Sequence, residues 1–232
     1  MARLFDRNMF IMLLAIMVGV IIITYFVGDI VNRTRIEELT LGHQEEIVDI
    51  QGRNENFTDN FLQGSIKMDS AREKREMGNY HYDLGFLWFT VAIEEKQNIT
   101  QLELYKTWII DNCTNAMTTY LTSNTSFGES KPFFEAAKLF TDKQKYLEVL
   151  GYYTSFAQVG QNITLLRHQA AWYLKCLAEN LSIDLVQNEN FTELLELFND
   201  VVAQYDEQLE DYVDYKDQID GYLFFEEIRE VE

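Results

Sequence analysis

Residues 102–120 read LELYKTWIIDNCTNAMTTY, and this stretch decides the fold class. Its apolar and small side chains recur at steps of three and four residues: Leu102, Tyr105, Ile109, Cys113, Ala116 and Tyr120. An α-helix places positions at that spacing on one face. The stretch is therefore predicted to form a helix with one buried side.

The same spacing continues further along the chain, from Leu166 to Leu177 and from Phe191 to Leu209, and no alternating run indicates a strand. With one proline, Pro132, the chain is predicted to be all-α, as a helical bundle or a short stack of helical hairpins. Breaks are expected at Gly78, between Ser123 and Pro132, at Gly160 and near Asn188–Asn190. The predicted helices are 56–77, 79–97, 100–122, 132–140, 142–160, 162–179 and 190–230.

Residues 9–27, MFIMLLAIMVGVIIITYFV, carry no charge. As a helix they extend about 28 Å, close to the hydrocarbon thickness of a bilayer. The sequence therefore predicts a cytoplasmic end at 1–8 and a transmembrane anchor at 9–28 that contacts membrane lipid through 9–27. A juxtamembrane stalk helix at 29–55 and an acidic helical domain at 56–232 follow.

Sequons for N-linked glycosylation set the predicted orientation. The motif Asn-x-Ser/Thr starts at Asn32, Asn56, Asn98, Asn112, Asn124, Asn162, Asn180 and Asn190. Such sites accept glycans only on the translocated side of a membrane. Asparagine also caps helices, and Asn98, Asn162 and Asn190 each precede a helical run, which leaves capping as an alternative. The domain after the anchor is predicted to be extracytoplasmic and to carry N-linked glycans.

The formal net charge is −19, from 38 acidic and 19 basic residues. Phosphates would be repelled by this charge, so nucleic acid is excluded as an expected partner. A well-solvated acidic surface is the simpler interpretation of most of the carboxylates.

Cys113 and Cys176 are the two cysteines of the chain. In an oxidising compartment they can form a disulfide between two helices, and two buried free thiols are the alternative. No metal site is expected, because His43, His81 and His168 are scattered without ligand spacing. No catalytic residue and no cofactor-binding motif is recognisable either.

Aromatic side chains recur among the acids near the end of the chain: Tyr205, Tyr212, Tyr215, Tyr222, Phe224 and Phe225. Tyrosine and phenylalanine are enriched at protein interfaces, so these residues are a possible partner surface. Docking onto the rest of the domain is the alternative.

These features predict a non-catalytic single-pass membrane glycoprotein that acts as a structural or accessory subunit of a membrane or cell-surface protein complex. Its expected partners are membrane lipid, other protein subunits and N-linked glycans. The alternative is a ligand-binding or sensory ectodomain that works through a partner membrane protein.

Overall fold

The structure, a computed structural model, describes residues 7–95, 98–182 and 189–221, with the side chains of 41–95, 98–182 and 190–221. The described residues form four α-helices and no strand: α1 (Arg7–Glu94), α2 (Ile99–Lys138), α3 (Gln144–Glu179) and α4 (Glu189–Asp220). The predicted all-α fold class is confirmed.

The chain divides into two compact units, Met1–Arg53 and Asn54–Glu232. In the first unit the described side chains, from Leu41 onward, are exposed or half-exposed, and the backbone is helical from Arg7. Among the described residues, no helix has the length and apolarity required of a membrane span. The predicted anchor lies outside the residues whose side chains are described.

The second unit is an antiparallel helical bundle. Each helix runs opposite to the next, because residue numbers rise on one helix as they fall on its neighbour. The contacts that show this are Gly64–Phe134 and Gly85–Cys113 (α1–α2), Lys131–Gln158 and Asn124–Gln161 (α2–α3), Phe156–Tyr212 and Arg167–Tyr205 (α3–α4), and Arg75–Tyr205 and Phe86–Phe198 (α1–α4). The helical bundle is thereby confirmed over the alternative of stacked hairpins.

Buried positions repeat every seven residues along the helices. The sets are Gly64, Ala71, Gly78, Gly85 and Ala92 on α1, Cys113, Tyr120, Phe127 and Phe134 on α2, and Phe191, Phe198, Tyr205 and Tyr212 on α4. Such a repeat keeps one face of each helix turned to the core, as in coiled coils and four-helix bundles. The small side chains of the α1 set face the mostly large side chains of the α2 set, so the two helices approach closely.

The predicted breaks at Gly78 and Gly160 are wrong. A Cβ added at Gly78 would lie 2.6 Å from Cε1 of Tyr120, and one at Gly160 would lie 2.6 Å from Cε1 of Phe127. Both glycines therefore make room for an aromatic ring from the neighbouring helix. Their cost in helix propensity, about 1 kcal/mol each, is offset by the rings they allow to be buried.

The predicted break between Ser123 and Pro132 is also wrong, because α2 continues through Pro132. An interior proline costs a helix about 3 kcal/mol. Phe127 and Phe134 are fully buried on either side of it, and burying two such rings contributes roughly 3–6 kcal/mol. The predicted interruptions before α2 and between α2 and α3 are confirmed. Before α4, α3 ends at Glu179 as predicted, but α4 already begins at Glu189, within the break predicted near Asn188–Asn190.

Candidate functional site

A layer of arginine and tyrosine crosses the core of the bundle. The guanidinium carbon of Arg167 lies 3.8 Å from the ring centre of Tyr205 and 4.5 Å from that of Tyr82. Arg75 lies 4.5 Å from the ring centre of Tyr212 and donates a 2.9 Å hydrogen bond from Nη2 to the Tyr205 hydroxyl. Helices α1, α3 and α4 thus meet through cation–π contacts.

Neither guanidinium forms an ion pair among the described residues. Burial lowers the pKa of Arg167, but Tyr205, Tyr120 and Tyr82 together outweigh that effect, so the pKa is raised overall. Burial raises the pKa of Tyr82 to about 12, against the opposing effect of Arg167. At neutral pH Arg167 is therefore charged and Tyr82 is neutral.

Two polar atoms of this layer, Nε of Arg75 and Nε of Arg167, are buried and have no hydrogen-bond partner among the described residues. The Tyr120 hydroxyl, by contrast, donates to Oδ1 of Asn79 at 2.7 Å. Buried polar groups at core positions favour one helix register over others, because a shifted register would leave the guanidiniums without tyrosine contacts. The layer is suited to fixing the alignment of the helices.

A small pocket of about 120 Å³ opens between α1, α3 and α4. Its lining combines apolar and charged groups: Ser65, Met68, Asp69, Arg72, Tyr153, Phe156, Lys216, Ile219 and Asp220. Arg72 lies 3.8 Å from Asp69, Lys216 pairs with Asp220, and the buried hydroxyl of Ser65 has no hydrogen-bond partner in the part of the chain that the structure describes. The volume is below the roughly 300–1,000 Å³ of pockets for drug-sized ligands, so only a very small polar molecule fits.

A surface of low charge lies along the seam of α2 and α3. No charged residue occurs in 112–128 of α2 or in 149–166 of α3, whereas α4 carries eleven acidic residues and one basic residue. Two large apolar side chains are exposed in these segments, Leu121 at 59% and Leu165 at 50%, and Trp172, 45% exposed, lies seven residues beyond Leu165 on α3. We call these residues and the uncharged positions around them the α2–α3 face.

The two leucines of this face flank the seam between α2 and α3. Leu121 lies seven residues before Gly128, where an added Cβ would meet Nε2 of Gln161 at 2.6 Å. Leu165 lies seven residues after Gln158, which accepts a hydrogen bond from Lys131. Because seven residues return a helix to nearly the same side, both leucines lie beside the contact between the two helices.

Threonine hydroxyls on the exposed side of α2 are hydrogen-bonded within the helix. Thr114, Thr118, Thr122 and Thr125 each donate to the carbonyl four residues earlier, at 2.7–3.0 Å. With their donors occupied in this way, these residues present mainly methyl groups and one remaining acceptor. The face is thus polar in composition, but these threonine hydroxyls need no hydrogen-bond acceptor from a partner protein that covers them.

No protein family, curated protein or solved structure matches the chain.

The predicted glycosylation sites differ in their surroundings. Asn56, Asn98, Asn162 and Asn190 are exposed, Asn112, Asn124 and Asn180 are half-buried, and Asn32 lies outside the described side chains. Nδ2 of Asn124 donates a 2.7 Å hydrogen bond to the carbonyl of Gln161 across the α2–α3 seam. The side chain of Asn98 caps α2 by accepting from the Gln101 N–H at 3.2 Å, as the capping alternative expected.

Cys113 and Cys176 are free in the structure, so the possible disulfide is not formed there. Cys113 is buried with Sγ directed at α1, where it would lie 3.1 Å from a Cβ at Gly85. Cys176 is only half-buried. Burial raises the pKa of the Cys113 thiol to about 12, which keeps it protonated and unreactive at neutral pH.

The predicted C-terminal partner surface is corrected in part. Tyr205 and Tyr212 are 2% and 4% exposed, because they pack into the core against Arg75, Arg167 and Phe156. Tyr215 is half-buried against the same core, so the alternative of docking onto the domain itself applies to all three. Tyr222, Phe224 and Phe225 lie outside the described residues.

Sequence reasoning overlooked the two core arginines. Arg75 lies seven residues after Met68 and seven before Tyr82, and both of these are buried. The seven-residue spacing was therefore a usable signal, hidden by the expectation that arginine is exposed. No group of histidine, cysteine and carboxylate side chains suited to a metal ion occurs in the part of the chain that the structure describes.

Proposed function

We propose that this protein is a non-catalytic single-pass membrane glycoprotein that serves as a structural or accessory subunit of a membrane or cell-surface assembly. The α2–α3 face is the observation that carries the proposal. It is a surface of low charge with two exposed leucines, beside an exposed tryptophan, on a chain whose net charge is −19.

Protein interfaces are depleted of charged residues at their centres and enriched in aromatic ones. Exposed apolar groups that lie together and are rimmed by polar residues mark interaction sites on soluble domains. Leu121 and Leu165 lie among threonine, asparagine and glutamine, and Trp172, seven residues after Leu165, adds an aromatic ring on the same side of α3. A protein partner of low charge suits this surface better than a basic partner or a phosphate-rich one.

The proposed topology rests on the sequence. Residues 9–27 anchor the chain in membrane lipid with residues 1–8 in the cytoplasm, and the sequons place the helical domain outside the cytoplasm. The absence of a catalytic role is supported by the chemistry of the core, where the arginines contact tyrosine rings and the Cys113 thiol is protonated.

A second candidate function is a ligand-binding ectodomain that works through a partner membrane protein. The pocket between α1, α3 and α4 favours it, because its wall offers both signs of charge and a hydroxyl without a partner. Calorimetric titration of the full-length protein with small zwitterionic solutes tests it. Binding that is lost in Arg72→Gln would support this function, and no heat of binding from any of them would oppose it.

Site-specific photo-crosslinking in the native membrane tests the leading proposal. A photoreactive residue at Leu165 should yield a covalent adduct with a neighbouring protein. The matched control is Val213, which is similarly exposed but lies among the acidic residues of α4. The proposal fails if position 165 yields no more adduct than position 213.

A further inference from the structure

We infer that residues 222–230 continue helix α4 and dock against α1 and the start of α3. Two ion pairs hold the segment in this arrangement: Glu226 with Lys145, and Arg229 with Asp142. The inference is independent of the proposed function, because it concerns a different part of the bundle from the α2–α3 face.

The last described turn of α4 carries no helix stop. The N–H of Gly221 still donates to the carbonyl of Asp217 at 2.9 Å, with the four-residue spacing of an α-helix. Gly221 also lacks the positive φ with which a glycine commonly ends a helix. Residues 222–232 contain neither proline nor glycine. These eleven residues can therefore lengthen α4 by about 16 Å.

The seven-residue repeat of α4 predicts which side chains of the segment face the bundle. Tyr212 is buried and Ile219 is half-buried, and the next position at that interval is Glu226. Tyr215 is also half-buried, and Arg229 follows it at twice the interval. Two charged side chains of opposite sign thus fall on the inward side of the helix, where each requires an opposite charge.

Contacts between α3 and α4 fix which residues lie at the same level. Arg167 contacts Tyr205, and Tyr153 and Ile219, an equal number of residues further along each helix, line one pocket. Residue numbers therefore fall on α3 one for one as they rise on α4. Continued beyond 221, this relation brings Glu226 to the first turn of α3 and Arg229 to the residues just before it.

The charges at the start of α3 match those of the segment in their order. The first turn of α3 contains Lys145 and no acidic residue, and a carboxylate is favourable near a helix N-terminus. Asp142 lies just before that turn, at the level of Arg229, which is the one basic residue of 222–232. A segment shifted by three residues would set Glu226 against Asp142. The two pairs therefore select one register.

The bundle offers an aromatic wall at the same level. Phe57 of α1 stacks with Tyr146 of α3 at 5.7 Å between ring centres, and Phe61 meets Tyr153 edge-on at 5.3 Å. Tyr222 lies seven residues after Tyr215 and so falls on the side of α4 that faces this wall. Docking of the segment removes Tyr222 from the candidate partner surface and makes it part of the core.

Hydrogen–deuterium exchange of the purified full-length chain in detergent, read by mass spectrometry, tests the inference. Amides of 222–230 should be protected. Lys145→Glu should raise their exchange rate by roughly three- to tenfold, because Glu226 then faces a like charge. Adding Glu226→Lys to that variant should restore the protection. Unchanged exchange in 102–120 verifies that each variant keeps its bundle.

The matched control adds Glu210→Lys to Lys145→Glu instead. Glu210 is exposed on α4 and lies sixteen residues before Glu226, so the same change of charge is made too far from α3's first turn to act. This control should leave the exchange of 222–230 fast.

Three results would overturn the inference. The first is fast exchange of 222–230 in the unaltered chain. The second is a failure of Glu226→Lys to restore protection, or an equal restoration by Glu210→Lys. The third is protection in the native membrane that is lost in the purified chain, which would show that the segment docks on another protein. None of these depends on a crosslink from position 165, so the proposed function stands or falls separately.

Discussion

Replacing Gly78 by alanine tests how the bundle is packed. The new Cβ would lie 2.6 Å from Cε1 and 2.7 Å from Cδ1 of Tyr120. That ring cannot move away easily, since it is fully buried and its hydroxyl is hydrogen-bonded to Asn79. We therefore expect Gly78→Ala to force α1 and α2 apart locally.

The magnitude follows from two opposing effects. Alanine improves helix propensity by about 1 kcal/mol relative to glycine. Overpacking of a well-filled core costs about 1–3 kcal/mol. Gly78→Ala should therefore lower the free energy of unfolding by up to about 2 kcal/mol. Gly151→Ala is the control, because nothing lies within 4 Å of its added Cβ, and it should raise that free energy by up to about 1 kcal/mol.

Urea denaturation of the purified full-length chain, followed by far-UV circular dichroism, measures both variants. The two midpoints should move in opposite directions, with unchanged slopes. If Gly78→Ala were as stabilising as Gly151→Ala, the close approach of α1 and α2 at Tyr120 would be refuted.

Three further predictions concern ionisation, thiol reactivity and glycosylation. Burial raises the pKa of Tyr82 and of Cys113 to about 12 each. The folded state therefore favours the protonated form of each group, which stabilises the fold at every pH below the pKa of the unfolded chain. That stabilisation is lost as the pH rises through the folded-state pKa. The free energy of unfolding should therefore fall between about pH 9 and 12, by roughly 3 kcal/mol for Tyr82 alone. Alkaline titration followed by tyrosine absorbance measures the ionisation of the tyrosines. Tyrosines that all ionise near pH 10 without unfolding would oppose this. Maleimide labelling with mass spectrometry should modify Cys176 without reductant and Cys113 only after unfolding, whereas two thiols that react only after reduction would indicate the disulfide. Glycopeptide mapping should find glycans at Asn56 or Asn190 and none at Asn124, whose amide binds α3; full occupancy of Asn124 would contradict that contact.

The sequence predicts the helices of this protein well where apolar spacing is the main signal. The face from Leu102 to Tyr120 is buried as its three- and four-residue steps indicate. The gaps before Ile99 and Gln144 lie close to the predicted junctions between helices 79–97 and 100–122 and between helices 132–140 and 142–160. Gly78, Gly160 and Pro132 misled the prediction because local propensity favours a break at each. Tertiary packing overrides that preference at the glycines, where the rings that occupy the space come from Tyr120, 42 positions after Gly78, and Phe127, 33 positions before Gly160.

The candidate site was less accessible to sequence reasoning. Tyr205 and Tyr212 were recognisable as important aromatics, but only their contacts with Arg75 and Arg167 show that they face inward. The α2–α3 face depends on two segments far apart in sequence that become neighbours through antiparallel pairing. Low charge in either segment alone does not indicate a binding surface. It becomes informative only when the two segments are compared with the highly acidic α4.

Hydroxyl-radical footprinting of Trp172 tests the central claim most directly, because it reports whether protein covers the α2–α3 face. Oxidation is compared between intact native membranes and the isolated chain in detergent, with the exposed Leu104 as an internal reference. Trp172, 45% exposed in the single chain, should be oxidised in detergent and protected in the membrane, while Leu104 reacts alike in both. Equal oxidation of Trp172 in the two preparations would contradict it.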